Sequence, residues 1–257
     1  MKELFTTIIY QPIFNLFVWF YNLVGDVGIA ILLITILFQI ILYPLNNKSI
    51  KAQKELAEMQ PKLEKLKQEH KADQQKLAAE TMKLYKEHKI NPFGSCLPVL
   101  LQIPIFLALF YVFKGAFESN SFDLLYTFIP SPGSIDPVSL GIFDLAGKSV
   151  VLAVLAGAAQ FVQTKMLTAK RPPKVAGEGA KDESMATMMN KQMLYMMPIL
   201  TVIIGFQFPA GVVLYWFFRT VLAAGQQYLL FRKNKNSEDG PTSGGKNGDV
   251  IEGKIVS

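Results

Sequence analysis

The sequence predicts an all-α membrane protein with five transmembrane helices, and three observations carry that prediction. Hydrophobic residues make up 51% of the 257 and charged residues only 18%, against roughly 25% charged in an ordinary soluble domain. The apolar excess is clustered, with long segments beginning near Val27, Cys96, Val150, Met193 and Gly211, as expected of a chain that crosses a bilayer repeatedly. Positive charge gathers between these segments. Residues 46–92 hold eleven lysines, residues 168–192 and 232–257 hold five Lys or Arg each, and residues 118–149 hold only Lys148. By the positive-inside rule the three basic segments are cytoplasmic, residues 118–149 lie outside, and five spans carry an outside N-terminus to a cytoplasmic C-terminus.

The N-terminal region (1–26) places Phe5, Ile8, Ile9, Ile13, Leu16, Phe17, Phe20 and Leu23 at helical spacing, with Gln11, Asn15 and Asn22 grouped on another face. This pattern predicts an amphipathic helix lying at the outer interface. The competing reading is a signal peptide. The start MKEL is not net positive and no A-x-A-type site follows the apolar stretch, which favours the interfacial helix.

The core, residues 27–231, begins with span 1 from about Val27 to Leu45, with Tyr43 and Pro44 marking its inner end. Nineteen residues give about 28 Å of helix. Residues 46–92 repeat Leu56, Met59, Leu63 and Leu66, then Leu77, Thr81, Leu84 and Tyr85, at helical spacing. A cytoplasmic helical hairpin follows from this, turning near Ala72 and Asp73, with its charges forming a solvated face and pairs such as Glu58 with Lys62.

Span 2, about Cys96 to Phe113, contains Pro98, Gln102 and Pro104, so its first turns need substitute partners for the disturbed backbone groups. The outer loop, 118–148, reads as turns at Ser131 to Pro137, with Phe122, Leu124, Leu125, Tyr126 and Phe128 resting at the interface. Span 3, about Val150 to Leu167, is apolar first and then carries Gln160, Gln163, Thr164 and Lys165, the last of which can snorkel. The cytoplasmic loop, 168–192, contains paired prolines and several glycines from Arg171 to Glu183. Spans 4 and 5, Met193 to Phe208 and Gly211 to Leu230, form a tight pair turned by Pro209 and Gly211. Residues 232–257 read as a disordered cytoplasmic tail.

Catalytic and metal-binding classes are largely excluded by composition. The chain holds only Cys96, His70 and His88 from the Cys and His classes. It has no GxGxxG, P-loop or HExxH pattern. No cofactor and no metal are expected, and the protein is not expected to be an enzyme.

Three stretches resemble one family, the YidC-type membrane protein insertases and their organellar relatives. Asn91 to Phe110, NPFGSCLPVLLQIPIFLALF, is similar to that family's most recognisable segment. Met196 to Phe218, MMPILTVIIGFQFPAGVVLYWFF, resembles its last two spans. Tyr43 to Leu45, followed by a hairpin containing MQPKLEKLK, fits the first. The resemblance covers roughly residues 5–231 in order. It implies five helices around a polar groove, closed to the outside and open to the cytoplasm and laterally to lipid, in the bacterial plasma (inner) membrane. It also implies an activity: taking hydrophobic segments of newly made membrane proteins and releasing them sideways into the bilayer, alone or beside the Sec translocon.

The partners implied are nascent membrane-protein clients, the Sec translocon, membrane lipids, and the ribosome through the lysine-rich hairpin. The tail from Arg232, with five basic and four acidic residues, is too balanced for a strong RNA-binding arm, and no specific nucleic-acid sequence is expected. The physical rationale does not depend on the family. A charge at mid-bilayer costs about 2.5–3.5 kcal/mol on insertion scales, so polar side chains and water brought partway in lower the barrier for a polar flank. Two other classes compete. A transporter or channel would use internal repeats, which are missing, and a membrane-embedded enzyme would need a cluster of reactive groups within the spans, which is also missing.

One position departs from the family pattern. Its span-1 arginine, four residues before the Tyr-Pro pair, is Gln39 here. The only Arg or Lys deep in a span is Arg219, about 14 Å along span 5 from Ala210, while Gln39 lies about 18 Å along span 1 from Val27. The expectation is that the groove's charge has moved to Arg219, which attracts acidic client flanks, and that Gln39 remains as a neutral wall. The alternatives are a structural or snorkelling role for Arg219 and a helix-to-helix hydrogen bond for Gln39. Thr35 resembles a client-touching position, or bonds its own i−4 carbonyl. Trp216 matches a groove position, or packs as core. Gln160 and Gln163 compete for one groove position, and Gln102 reads as structural glue.

Overall fold

Pro12 shapes the first helix. It has no N–H to donate, and its ring crowds the carbonyl four residues back. The chain answers with a π-helical turn at Thr6–Tyr10, between α1 (Lys2–Phe5) and α2 (Gln11–Val24), in which the Gln11 N–H reaches back five residues to Thr6 O. This is the usual way a helix absorbs such a defect. A computed structural model describes residues 2–70, 73–88, 91–117, 122–168 and 185–238. Among these, Glu3–Val24 is the one unbroken helix long and apolar enough to cross a membrane.

Its polar stripe differs from the amphipathic expectation. Asn15 is buried, and with Gln11 it donates to Leu124 O, each at 3.0 Å; Asn15 Oδ1 accepts from Tyr126 N at 2.6 Å. Asn22 donates to Pro130 O. The amides face the backbone of the 122–130 segment, while Leu4, Ile8, Trp19 and Leu23 stay exposed. Loop carbonyls and N–H groups need partners, and this stripe supplies them.

Gly25, in the left-handed conformation at φ 69°, ends α2, and Asp26 caps α3 (Val27–Ile41) by accepting from Ile29 N. The helix stops earlier than the expected Leu45. It breaks at Leu42, and α4 (Tyr43–Glu69) leaves at 69°. Pro44 explains the bend, because it cannot donate to the carbonyl of Ile40.

The hairpin forms as expected, with Asp73 capping α5 (Gln74–Glu87) through Lys76 N; Ala72 lies outside the described residues. Glu58 pairs with Lys54 at 3.5 Å, not with Lys62. Lys62 Nζ instead lies 2.7 Å from His88 Nε2, linking the two arms.

The next helix, α6 (Pro92–Phe117), runs through Pro98 and Pro104. The loop after it holds an element the sequence did not suggest, an antiparallel hairpin of β1 (Val138–Ser139) and β2 (Phe143–Asp144). Phe122, Leu124, Leu125 and Tyr126 pack against the core, while Phe128 is exposed.

Helices α7 (Val150–Thr168) and α8 (Met185–Gly205) pack closely. A Cβ on Gly157 would lie 3.1 Å from Pro198 O, and one on Gly205 would lie 3.0 Å from Ala153 Cβ. Small residues allow this approach where no hydrophobic force joins helices. α8 begins eight residues before the expected Met193. Arg171 to Glu183 lies outside the described residues. α9 (Ala210–Glu238) continues as helix past Leu230, through residues read as tail, and residues 239–257 are outside the described set.

The core joins α2, α3, α6, α7 and α9 around Phe14, Phe17, Ile31, Ile34, Leu109, Phe113 and Tyr215. Gln102–Phe117, Val150–Met166 and Leu194–Gly205 are shorter apolar stretches, and their outward faces expose Ile103, Val151, Val154, Ile199 and Ile203.

Candidate functional site

Polar groups inside an apolar bundle must find partners or water, and following them locates the site. The first chain of contacts runs along α9. Tyr215, buried, accepts from Gln102 Nε2 at 2.8 Å, joining α9 to α6. One turn on, Arg219 is half-buried and within electrostatic reach of Tyr215. Among the described residues no carboxylate forms an ion pair with it; the recorded pairs are Lys54 with Glu58 and Lys83 with Glu80. Two further turns on the same face is Gln226, because seven residues close almost two full turns.

Gln226 is the junction of the site. Its Oε1 accepts from Gln39 Nε2 at 2.6 Å, and its Nε2 donates to Asn47 Oδ1 at 2.6 Å and Tyr43 O at 3.2 Å. One side chain of α9 thus holds α3, the bend and the first turn of α4. The sequence reading missed it. The available signal was the pair Gln226 and Gln227 at the end of an apolar run. Gln227 is buried, and its Nε2 has no hydrogen-bond partner among the described residues.

This junction fixes the register of α3 against α9. Gln39 meets Gln226, so counting back seven residues on each helix puts Arg219 level with Leu32. Leu32 and Phe218 line one cavity, which agrees with that register. Arg219 therefore stands two turns, about 10 Å, from the level of Gln39. The offset is larger than the sequence-based depths suggested, because α9 begins four residues further from the contact than α3 does.

The remaining predicted residues are placed as follows. Thr35 is buried and donates to Ile31 O at 2.6 Å, and Thr220 and Thr164 make the same bond to Trp216 O and Gln160 O. Such back-bonding satisfies a hydroxyl locally and slightly bends the helix. Trp216 packs edge-on against Phe106, centroids 5.8 Å apart, and Phe106 packs on Phe208 at 5.0 Å. Gln160 and Gln163 are both half-buried on α7. The structure thus brings together Gln39, Gln226, Arg219 and Tyr215 along the α9 seam, with Trp216 on the adjacent aromatic face. Gln160 and Gln163 sit on a separate helix.

The outer end is tied separately. Asp26 accepts from Ser139 Oγ at 2.8 Å and Leu140 N at 2.6 Å, besides Ile29 N. Burial alone would raise its carboxyl. The hydrogen bonds from Leu140, Ile29, Ser139 and Gly28 outweigh burial and hold it below its ordinary value. At α9, Ala210 N and Gly211 N donate to Gly147 O and Leu145 O, so loop carbonyls take the orphan N–H groups of the helix start.

Comparison with known proteins identifies the family and the fold. The model of the family described as 60Kd inner membrane protein matches residues 19–238. The protein named membrane protein insertase YidC from Fusobacterium nucleatum is 38% identical over 82% of this chain and 88% of its own length. Its namesake from Syntrophobacter fumaroxidans is 35% identical over 88% of this chain, which spans only 38% of that longer relative. A solved structure titled as an active YidC insertase with its first transmembrane domain resolved shares the fold, with a TM-score of 0.57 and 23% identity over 87% of this chain and 46% of its own. The chain therefore belongs to the 60Kd inner membrane protein family, the family of the YidC membrane protein insertases.

Proposed function

We propose that the protein receives hydrophobic segments of nascent membrane proteins into a polar intramembrane groove beside α9 and releases them laterally into the bilayer, alone or with the Sec translocon. The observation that carries this reading is Arg219, a half-buried cation on an apolar helix with no carboxylate pair among the described residues. A charge so placed needs water or a transient anionic partner, and an acidic client flank is such a partner. Gln39, Thr35, Trp216, Gln160 and Gln163 complete the proposed client-contacting set, to which Gln226 is added. No nucleotide is required, because burying the client's apolar segment supplies the driving force.

In the proposed topology five spans, containing α3, α6, α7, α8 and α9, cross the inner membrane. The N-terminus lies outside and the C-terminus in the cytoplasm. The N-terminal helix lies along the outer interface. Its length also suits a crossing, but its amides bonded to the 122–130 backbone support the interfacial placement. The α4–α5 hairpin is cytoplasmic and offers its lysines to the ribosome.

The test is insertion of a short client with an acidic flank into proteoliposomes containing the purified protein. Protease-protected, membrane-spanning client above the level in empty vesicles is expected. Equal insertion in both would sink the proposal, and uptake of a small anion without client insertion would favour a transporter.

A further inference from the structure

The β1–β2 hairpin carries a residue in an unexpected conformation. Ser139 O accepts from Ile142 N, and both central residues of that turn have positive φ, Leu140 at 52° and Gly141 at 70°. Turns of this kind favour Asn-Gly, because a left-handed residue with a larger side chain is disfavoured. Leu140 is nevertheless there, and it is 65% exposed; Ile142 is 76% exposed and Phe143 partly exposed. A strained backbone position occupied by a large apolar side chain that faces outward points to a use for that side chain.

We infer that the tip of this hairpin, Leu140 to Phe143, is seated in the acyl-chain region of the bilayer and acts as a lipid anchor at the end of the bundle where α3 and α9 begin. Continuity with the lipid-facing surface supports this. Leu140 and Phe143 share a largely apolar cavity with Ile29, Leu32, Leu214 and Phe218, so apolar side chains of the tip and of the helices adjoin. Helix length supports it too. The fifteen residues of α3 give about 22 Å before the bend, short of the roughly 30 Å hydrocarbon layer.

The tip itself carries no charge, with no charged residue between Pro137 and Phe143, and the carboxylate bonded to it, Asp26, is satisfied by Leu140 N, Ile29 N and Ser139 Oγ. The flanking Asp136 and Asp144 fold back onto their own loop, accepting from Val138 N and from Ala146 N and Gly147 N. Asp26 clamps the hairpin to the start of α3, so the tip's depth is transmitted to that helix. The inference rests on membership of an inner-membrane family and not on the proposed client route.

The test uses the full chain with Cys96→Ser and a single new cysteine, Ile142→Cys, carrying an environment-sensitive dye in phosphatidylcholine proteoliposomes. Phe143→Cys serves as a second site, and Ser134→Cys, exposed in the same loop, as the aqueous control. The expected result is strong quenching by acyl-chain nitroxide lipids and severalfold weaker iodide quenching than at Ser134→Cys, unchanged on dilution of protein in lipid. Iodide quenching equal to the control at both sites would overturn the anchor. Protection that appears only at high protein density, or only when client is added, would assign the tip to a second copy or to the client and overturn it equally.

Discussion

Gln39 on α3 donates to Gln226 on α9 across 2.6 Å, and the same Gln226 amide donates to Asn47 and to the carbonyl of Tyr43 on either side of Pro44. The 69° bend that sends α4 away from α3 is thus held by a side chain from the far end of the chain. Interhelical hydrogen bonds in membranes average about 0.6 kcal/mol with a maximum near 1.7. Gln226→Leu, which removes three, should therefore cost about 1–2 kcal/mol, and Gln39→Leu about 0.6. The double variant should cost no more than Gln226→Leu alone, as measured by reversible unfolding in mixed micelles. Strict additivity would show that the two amides do not interact.

Arg219→Ala should slow insertion of an acid-flanked client about tenfold, equivalent to about 1.4 kcal/mol in the barrier, and leave a neutral-flanked client unchanged. Arg219→Lys should fall between. Gln39→Arg combined with Arg219→Ala should restore the acid-flanked client only partly, because the new cation stands two turns away and displaces the bond to Gln226. Initial insertion rates in proteoliposomes decide this, and equal loss for both clients would point to a structural role for Arg219.

Asp26→Ala should destabilise the protein by about 1–2 kcal/mol, the upper part of the roughly 0.5–2 kcal/mol range for losing a helix N-cap, because it also releases Ser139 and Leu140. The pH dependence has a definite sign. A carboxyl whose folded value is depressed contributes stability that is fully present above its unfolded value and is lost as pH falls through the folded one. The difference between wild type and Asp26→Ala should therefore be constant near neutrality and shrink only below the usual carboxylate range. A thermal-unfolding series across acid pH measures it, and a gap that persists at the lowest pH would contradict the assignment.

Gly205→Leu should disrupt the α7–α8 pair, since even a methyl would meet Ala153 Cβ at 3.0 Å. Overpacking of this kind costs about 1–3 kcal/mol. Leu200→Ala, on the exposed side of α8, should be close to neutral in the same unfolding measurement.

The helices were legible in the sequence wherever their cause is local. Val150 begins α7 where the apolar run begins, and Asp73 turns the hairpin because a short carboxylate caps the next helix. Pro44 marked the inner end of α3, although the bend falls two residues earlier, at Leu42. The β1–β2 hairpin was not legible, because a two-residue strand has no periodicity to detect and its Leu-Gly turn lacks the usual Asn. The polar stripe on α2 was visible, but its direction was not: Gln11 and Asn15 find their partners more than a hundred residues away.

By itself, then, the sequence determined the class of the molecule, the order of its helices and the family resemblance, since hydrophobic run length, charge placement and short motifs act over neighbouring residues. Only the tertiary structure decided which polar groups meet. Gln39 and Gln226 are 187 residues apart in the chain. Whether Gln39 faces Gln226 or Arg219 depends on the axial register of two helices, set by packing and by the loop contacts at Asp26 and Leu145. A slip of two turns, about 10 Å, would exchange one partner for the other without altering any local pattern.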